Sequence, residues 1–381
     1  MIYLDNAATT WPKPAAVYEA MDRFARTGAA NPGRSGHRMA IEAEERVQEA
    51  RGRVAKLLNA ESPDRIILTL NATDALNIAI KGLLKPGDHV VTTGLEHNSI
   101  NRPLTGLEHA GIISVSKARS AEDGTTAPDE IEKLCSRKTR LIAVTHCSNV
   151  LGVVNPAAEY ARVARRKGAL LLLDSSQTAG VVPMDVRAEQ LDMVAFPGHK
   201  GCLGPMGTGA LYVRPGIRLE VWREGGTGFA AESEVQPDDY PFHLEGGTPN
   251  AHGLVGLAAG LKFIEETGIN RIREHERALA IRFVEALRGN RKITIYSGRR
   301  PDSQIGPVSI SIAGADPVQV GAALDQRHGI ACRPGLHCAP GTHKFLGTFP
   351  KGTVRFSFGY FNTGAELDAA VKAVEEIAAC S

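Results

Sequence analysis

From Asp64 to Val213 the chain alternates between two hydrophobic patterns. Short continuous apolar runs, "RIILTL" (65–70), "HVVTTG", "RLIAVTH", "ALLLLD", "MVAFPG" and "GALYVR", read as strands. Between several of them, apolar positions recur at helical spacing, as in "ATDALNIAIKGLL" (72–84) and "AAEYARVARRKG". Apolar strands without polar alternation belong to a sheet covered on both faces, and intervening helices make that sheet mostly parallel. From Ala251 the spacing predicts one long helical region, running through "AHGLVGLAAGLKFIEETGINRIREHERALAIRFVEALRGN". The remainder, with strands "ITIYSG", "PVSISIAG" and "TVRFSFG", predicts a smaller α+β unit. The expected division is an N-terminal arm over 1–15, packing with the small domain, a large domain over 16–265 and a small domain over 266–381.

Ligands of open α/β sheets bind beyond the carboxyl ends of the strands. Polar residues follow five successive strands there: Asn71-Ala72-Thr73-Asp74, Glu96-His97, Ser148-Asn149, Asp174 with Ser176-Gln177, and His199-Lys200. The first set opens a helix, where small and hydroxyl residues suit an anionic group such as phosphate. A phosphate cradle, a carboxylate, an imidazole and a lysine together match what pyridoxal phosphate requires. The lysine amine condenses with the aldehyde, and the carboxylate pairs with the protonated pyridine nitrogen. Lys200 is the expected anchoring lysine, and the glycines around it are expected to let the backbone approach the cofactor.

Composition narrows the partners. The 381 residues carry 44 basic and 42 acidic side chains, so a nucleic-acid or anionic-membrane partner is not expected. The six cysteines, at 135, 147, 202, 332, 338 and 380, form no C-x-x-C pair, and no metal site is expected. The start, "MIYLDNAATT", lacks the basic and apolar regions of a secretory signal, so a cytoplasmic location with reduced thiols is expected. "GPMGTG" lacks the dinucleotide-binding spacing and precedes a strand, where that fingerprint must follow one.

Motifs along nearly the whole chain resemble the cysteine desulfurase and selenocysteine lyase family of the class V aminotransferase fold. They are "YLDNAATT" (3–10), "NPGRSGH" (31–37), "NATDALNIAI" (71–80), "EHNS" (96–99), "THCSNVLGVVNP" (145–156) and "LLDSSQTAG" (172–180). They continue with "GHKGCLGPMGTGALYV" (198–213), "LEGGTPN" (244–250), "RPGLHCAP" (333–340) and "VRFSFGYFNT" (354–363). The resemblance implies the α/β fold of PLP-dependent, aspartate aminotransferase-like transferases, with a mainly parallel large domain and a smaller α+β C-terminal domain.

The resemblance also implies roles. Lys200 holds pyridoxal 5'-phosphate, Asp174 pairs with its ring nitrogen, and Gln177 meets its ring oxygen. His97 stacks on the ring and transfers protons. Ala72, Thr73 and His199 bind its phosphate. Thr248 serves the neighbouring subunit's cofactor, which implies a homodimer. Asn149 and Arg355 hold the substrate, Arg355 by its carboxylate, and His37 is a further substrate residue. Cys338 takes sulfur from L-cysteine as a persulfide, leaving alanine, with His337 beside it favouring the thiolate. A sulfur-acceptor protein is an implied partner. Release of selenium from L-selenocysteine, or aminotransferase or epimerase chemistry without Cys338, are the alternatives. Pro197 stands where family members commonly carry a phosphate-binding serine, which removes one side-chain donor.

Overall fold

The fold is described from a computed structural model for residues 1–33 and 35–380. Arg34, inside the 31–37 stretch, lies outside the described residues. The chain opens with β1 (Ile2–Tyr3), α1 (Ala15–Thr27) and α2 (Arg38–Leu58). The alternation follows as β2 (Ile66–Thr69), α3 (Ala72–Leu83), β3 (His89–Thr93), α4 (Asn98–His109), β4 (Ser114–Ala118), α5 (Pro128–Leu134), β5 (Thr139–Thr145), α6 (Ala157–Lys167), β6 (Leu170–Asp174), β7 (Met193–Pro197) and β8 (Gly209–Val213). After an irregular stretch come α7 (Ala251–Thr267), α8 (Ile269–Leu287), β9 (Ile293–Ile295), β10 (Pro307–Ile312), α9 (Pro317–His328), β11 (Ile330–Ala331), β12 (Arg333–Gly335), α10 (Pro340–Phe345), β13 (Thr353–Ser357) and α11 (Gly364–Cys380).

A seven-stranded sheet in the order β2-β8-β7-β6-β5-β3-β4 carries the first unit. Every pairing in it is parallel except those of β8, which runs against both β2 and β7. β2 and β7 therefore point the same way, and all five polar strand ends lie along one edge. Every residue of β3, β7 and β8 is buried, and so is β6 after the half-buried Leu170, as their continuous apolar runs require. One face packs under α2, α6 and α7 around Val47, Val54, Tyr160, Phe196 and Leu257. The other packs under α3 and α4 around Leu76, Ile80, Leu104 and Leu211.

The second unit is a four-stranded antiparallel sheet in the order β12-β13-β10-β9, packed on α8, α9 and α11 through Phe283, Phe356, Leu324 and Val374. The long helical region expected from 251 onward consists of two helices. Gly268, at φ +88°, turns the chain between α7 and α8, a conformation L residues rarely adopt. Residues 1–13 touch both units: β1 pairs with β11, Ala7 N donates to Ser357 Oγ, and Thr10 N donates to His199 O. Among the described residues no helix is long and apolar enough to cross a membrane.

Candidate active site

Lys200 sits in the loop that turns β7 into β8. Protein neighbours leave no room for a side chain at the glycines on either side of it. A Cβ on Gly201 would stand 2.4 Å from Ala179 O, and one on Gly198 would stand 2.2 Å from Thr208 Oγ1. Their absent side chains let the loop press onto its own scaffold and fix the lysine stem. The N-terminal segment holds the loop from the other side. His199 O accepts from Thr9 Oγ1 at 3.1 Å and from Lys13 Nζ at 2.7 Å.

Burial pushes the Lys200 amine down to about 8. Asp174 and Asp5 oppose that fall, and Arg355 and Arg333 add to it. Asp174, 3% exposed at the end of β6, accepts from Ser176 N at 2.9 Å and from Ser176 Oγ at 2.5 Å. Gln177 donates to Ala7 O at 3.1 Å and lines a small space with Lys200 and Asn6.

His97 caps α4, its Nδ1 accepting from Ser99 N at 3.1 Å. That contact leaves the proton on Nε2 of the neutral ring. Burial holds the imidazole near 4, against the pull of Asp174, so it is neutral at pH 7. Ser99 Oγ also pairs with Thr73 Oγ1 at 2.7 Å. Thr73 and Ala72 lie in the first turn of α3, where backbone N–H groups have no partner within the helix.

These residues fit pyridoxal phosphate. The helix start at Ala72 and Thr73 suits the phosphate. His199 Nδ1 is buried with no hydrogen-bond partner. A low-pKa lysine and a buried carboxylate complete the set.

Cys338 is exposed and lines an open groove of about 580 Å³ with Thr73, His97, Ser99 and Arg102. The loop is fastened on two sides: Asn98 N donates to Cys338 O at 2.8 Å, and Asn149 Nδ2 donates to His337 O at 2.7 Å. The Asn149 amide therefore serves the loop in this structure. The expectation that His337 aids the thiol needs correction, because its ring is buried and faces His343 and Arg333 O. The charge beside the thiol is instead Arg333, whose Nη2 is 3.7 Å from Cys338 Sγ. Arg333 was missed in the sequence, although "RPGLHC" places it five residues before the cysteine.

Arg355, 1% exposed, donates to Asp5 Oδ1 at 2.7 Å and to Asn149 O at 3.1 Å, while its Nε has no partner. It stands directly across the strand pair from Arg333. Like charges so placed are destabilising, and Asp5 offsets them. Removing the arginine from a largely buried ion pair leaves its partner uncompensated. Arg355→Gln is expected to lose about 3 kcal/mol of stability, read by urea unfolding, and an unchanged midpoint would show that the ion pair with Asp5 contributes little.

The remaining expected residues lie apart from this cluster. Thr248 lines a separate groove of about 420 Å³ with Leu70, Asp74 and Asn250. His37 is exposed and caps α2, accepting from Ala40 N, and it shares no described contact with Lys200, His97 or Arg355. Among the described residues no group of three or more His, Cys, Asp and Glu side chains is placed to hold a metal ion.

A solved structure of a cysteine desulfurase from Thermococcus onnurineus, in its apo form, superposes with a TM-score of 0.93 at 34% identity, covering 100% of this chain and 95% of that one. The S-sulfonic acid form of the cysteine desulfurase CsdA from Escherichia coli gives 0.88 at 30% identity, covering 98% and 94%. A probable cysteine desulfurase from Methanothermobacter thermautotrophicus is 38% identical, over 99% of this chain and 94% of its own length. The aminotransferase class-V profile matches residues 2–370, and this chain belongs to the class-V aminotransferase family.

Proposed function

We propose that this chain is a pyridoxal-phosphate-dependent cysteine desulfurase. It converts L-cysteine to L-alanine and receives the sulfur on Cys338. The observation that carries this reading is the exposed Cys338 thiol, held in one groove with His97 and Thr73 and 3.7 Å from the Arg333 guanidinium. An aminotransferase or epimerase has no use for a fastened thiol there. When bound, the cofactor supplies an electron sink that labilises bonds at the substrate's α- and β-carbons.

The protein residues then divide the work. Arg355 holds the substrate carboxylate through its free Nε and fixes the amino acid's orientation. Lys200, near its titration midpoint in mildly alkaline solution, takes and returns the α-proton. Asp174, buried at the end of β6, would pair with the cofactor's ring nitrogen. His97 presents Nε2–H toward the groove. Cys338 sulfur attacks the substrate sulfur: one S–S bond forms, the C–S bond breaks, and its electron pair ends as a C–H bond of alanine. L-Cysteine and the thiol together thus give alanine and a persulfide, with no outside oxidant.

The test is stoichiometric. One turnover of the holoenzyme with L-cysteine, without reductant, should give one alanine and one persulfide on the Cys338 peptide by mass spectrometry. Alanine without persulfide at Cys338, or no alanine, overturns the reading. Alanine from L-selenocysteine alone moves it to the selenium-releasing alternative.

Cofactor loading carries a pH prediction. Only the neutral amine condenses with an aldehyde, and Lys200 becomes neutral as pH rises through about 8 rather than 10.5. Pyridoxal phosphate added to cofactor-free protein should load faster from pH 6 to pH 8 and level off above, followed by its visible absorbance. A rate still climbing at pH 10 would place the amine in open water.

A further inference from the structure

Beneath the cysteine loop three side chains form a hydrogen-bond chain with one possible direction. His337 Nε2 lies 2.8 Å from Arg333 O, and a carbonyl only accepts, so Nε2 carries the proton. In a neutral ring His337 Nδ1 is then an acceptor. His343 Nε2, 3.1 Å away, must donate to it. His343 Nδ1 is left to accept from the Thr348 hydroxyl at 2.8 Å. Both rings are buried, and burial holds His343 near 4 and His337 far below its ordinary value, so both are neutral at pH 7.

The chain of bonds ends on a strained backbone. His337 and Cys338 are consecutive non-glycine residues in the left-handed region, at φ +51° and +57°. Such residues persist only where their surroundings over-determine them. Asn149 and Asn98 hold the two carbonyls of this pair. The His337 ring fixes the same residue from the opposite side and ties it to Arg333, whose guanidinium reaches Sγ. His343 is on α10, which is seated against the turn that carries His97. A Cβ on Gly341 would stand 2.3 Å from Gly94 O, and Thr342 Oγ1 donates to Leu95 O at 3.1 Å.

We propose that His343 is a positioning residue for Cys338: acting through His337, it holds the left-handed pair and Arg333 so that the sulfur stays in the groove beside the guanidinium. The kinetic arm of the test rests on the desulfurase reading above, and the alkylation arm does not.

Three holoenzyme variants separate positioning from general packing. His343→Leu removes the donor. His343→Gln places an amide N–H within reach of His337 Nδ1. Thr348→Val removes only the terminal hydroxyl. The measurements are the iodoacetamide rate at Cys338, read peptide by peptide, and kcat, KM and Tm. His343→Leu should alkylate Cys338 at least about 5-fold more slowly, because the guanidinium no longer stands beside the sulfur. Its kcat should fall about 10- to 100-fold, the scale of a misplaced reacting group, with KM within about 2-fold. His343→Gln should recover most of both rates, and Thr348→Val should fall between.

Wild-type alkylation and kcat in His343→Leu overturn the proposal, as does a Gln variant no better than Leu. If His343→Leu does not fold, wild-type rates in Thr348→Val overturn it equally. An original protein that makes no alanine from L-cysteine defeats the desulfurase reading, and the alkylation comparison then decides the role of His343 alone.

Discussion

Replacing Lys200 with alanine is expected to lower alanine formation from L-cysteine by at least about 10⁴-fold, because anchoring and proton transfer are both lost. The same change should leave the cofactor-free protein as stable as the original or more so. The sign follows from the direction of the pKa. Burial depresses the lysine to about 8 in the fold from 10.5 in the unfolded chain. Folding at pH 7 therefore works against the proton, and that penalty is fully present below about 8. It fades as pH rises from 8 to 10.5, where the unfolded chain also loses the proton. The Tm advantage of Lys200→Ala over the original should be largest near pH 7 and should shrink by pH 10. Melting of both cofactor-free proteins at the two pH values, with steady-state kinetics, checks the pair of effects. A variant retaining about 1% of the activity would mean that another group moves the proton.

Much of this architecture was legible because the sheet is buried on both faces. Strands such as "LLLLD" and "MVAFP" have no polar alternation to confuse with helix, and each ends where a chemical group begins. β4 escaped, since at the sheet edge its residues "SVSKA" are mostly exposed or half-buried and make no apolar run. The direction of β8 was equally hidden, because a strand buried on both faces reads alike whichever way it runs. The helix break at Gly268 is masked by unbroken apolar spacing on either side.

In the site, strand-end order located Lys200, Asp174 and His97, because one topological rule gathers them. Asp5 and Arg355 are 350 residues apart, and no local pattern joins them. His337 was assigned to the thiol by adjacency, but the left-handed backbone turns its ring beneath the loop. The cation that adjacency suggested came from Arg333, one strand earlier.

Cys338→Ala is expected to lower alanine formation from L-cysteine at least about 10³-fold, with cofactor binding unchanged, because the attacking atom is gone. The fold should tolerate it. The thiol projects into the groove and packs in no core, and alanine meets the same left-handed strain as cysteine, so the stability change should stay within about 1 kcal/mol. No neighbouring thiol can substitute. Burial pushes Cys202 and Cys332 up to about 12 and drives Cys147 further in the same direction, so all three remain protonated at pH 7. Cys135, whose pKa burial also raises, follows α5, and Cys380 ends α11. The loss should be smaller with L-selenocysteine, since selenium leaves more readily and depends less on an attacking thiol. Alanine release from both substrates by both proteins reads the difference. Equal activity of the two proteins on L-cysteine would relieve Cys338 of the sulfur and return the site to the reactions that need only Lys200 and Asp174.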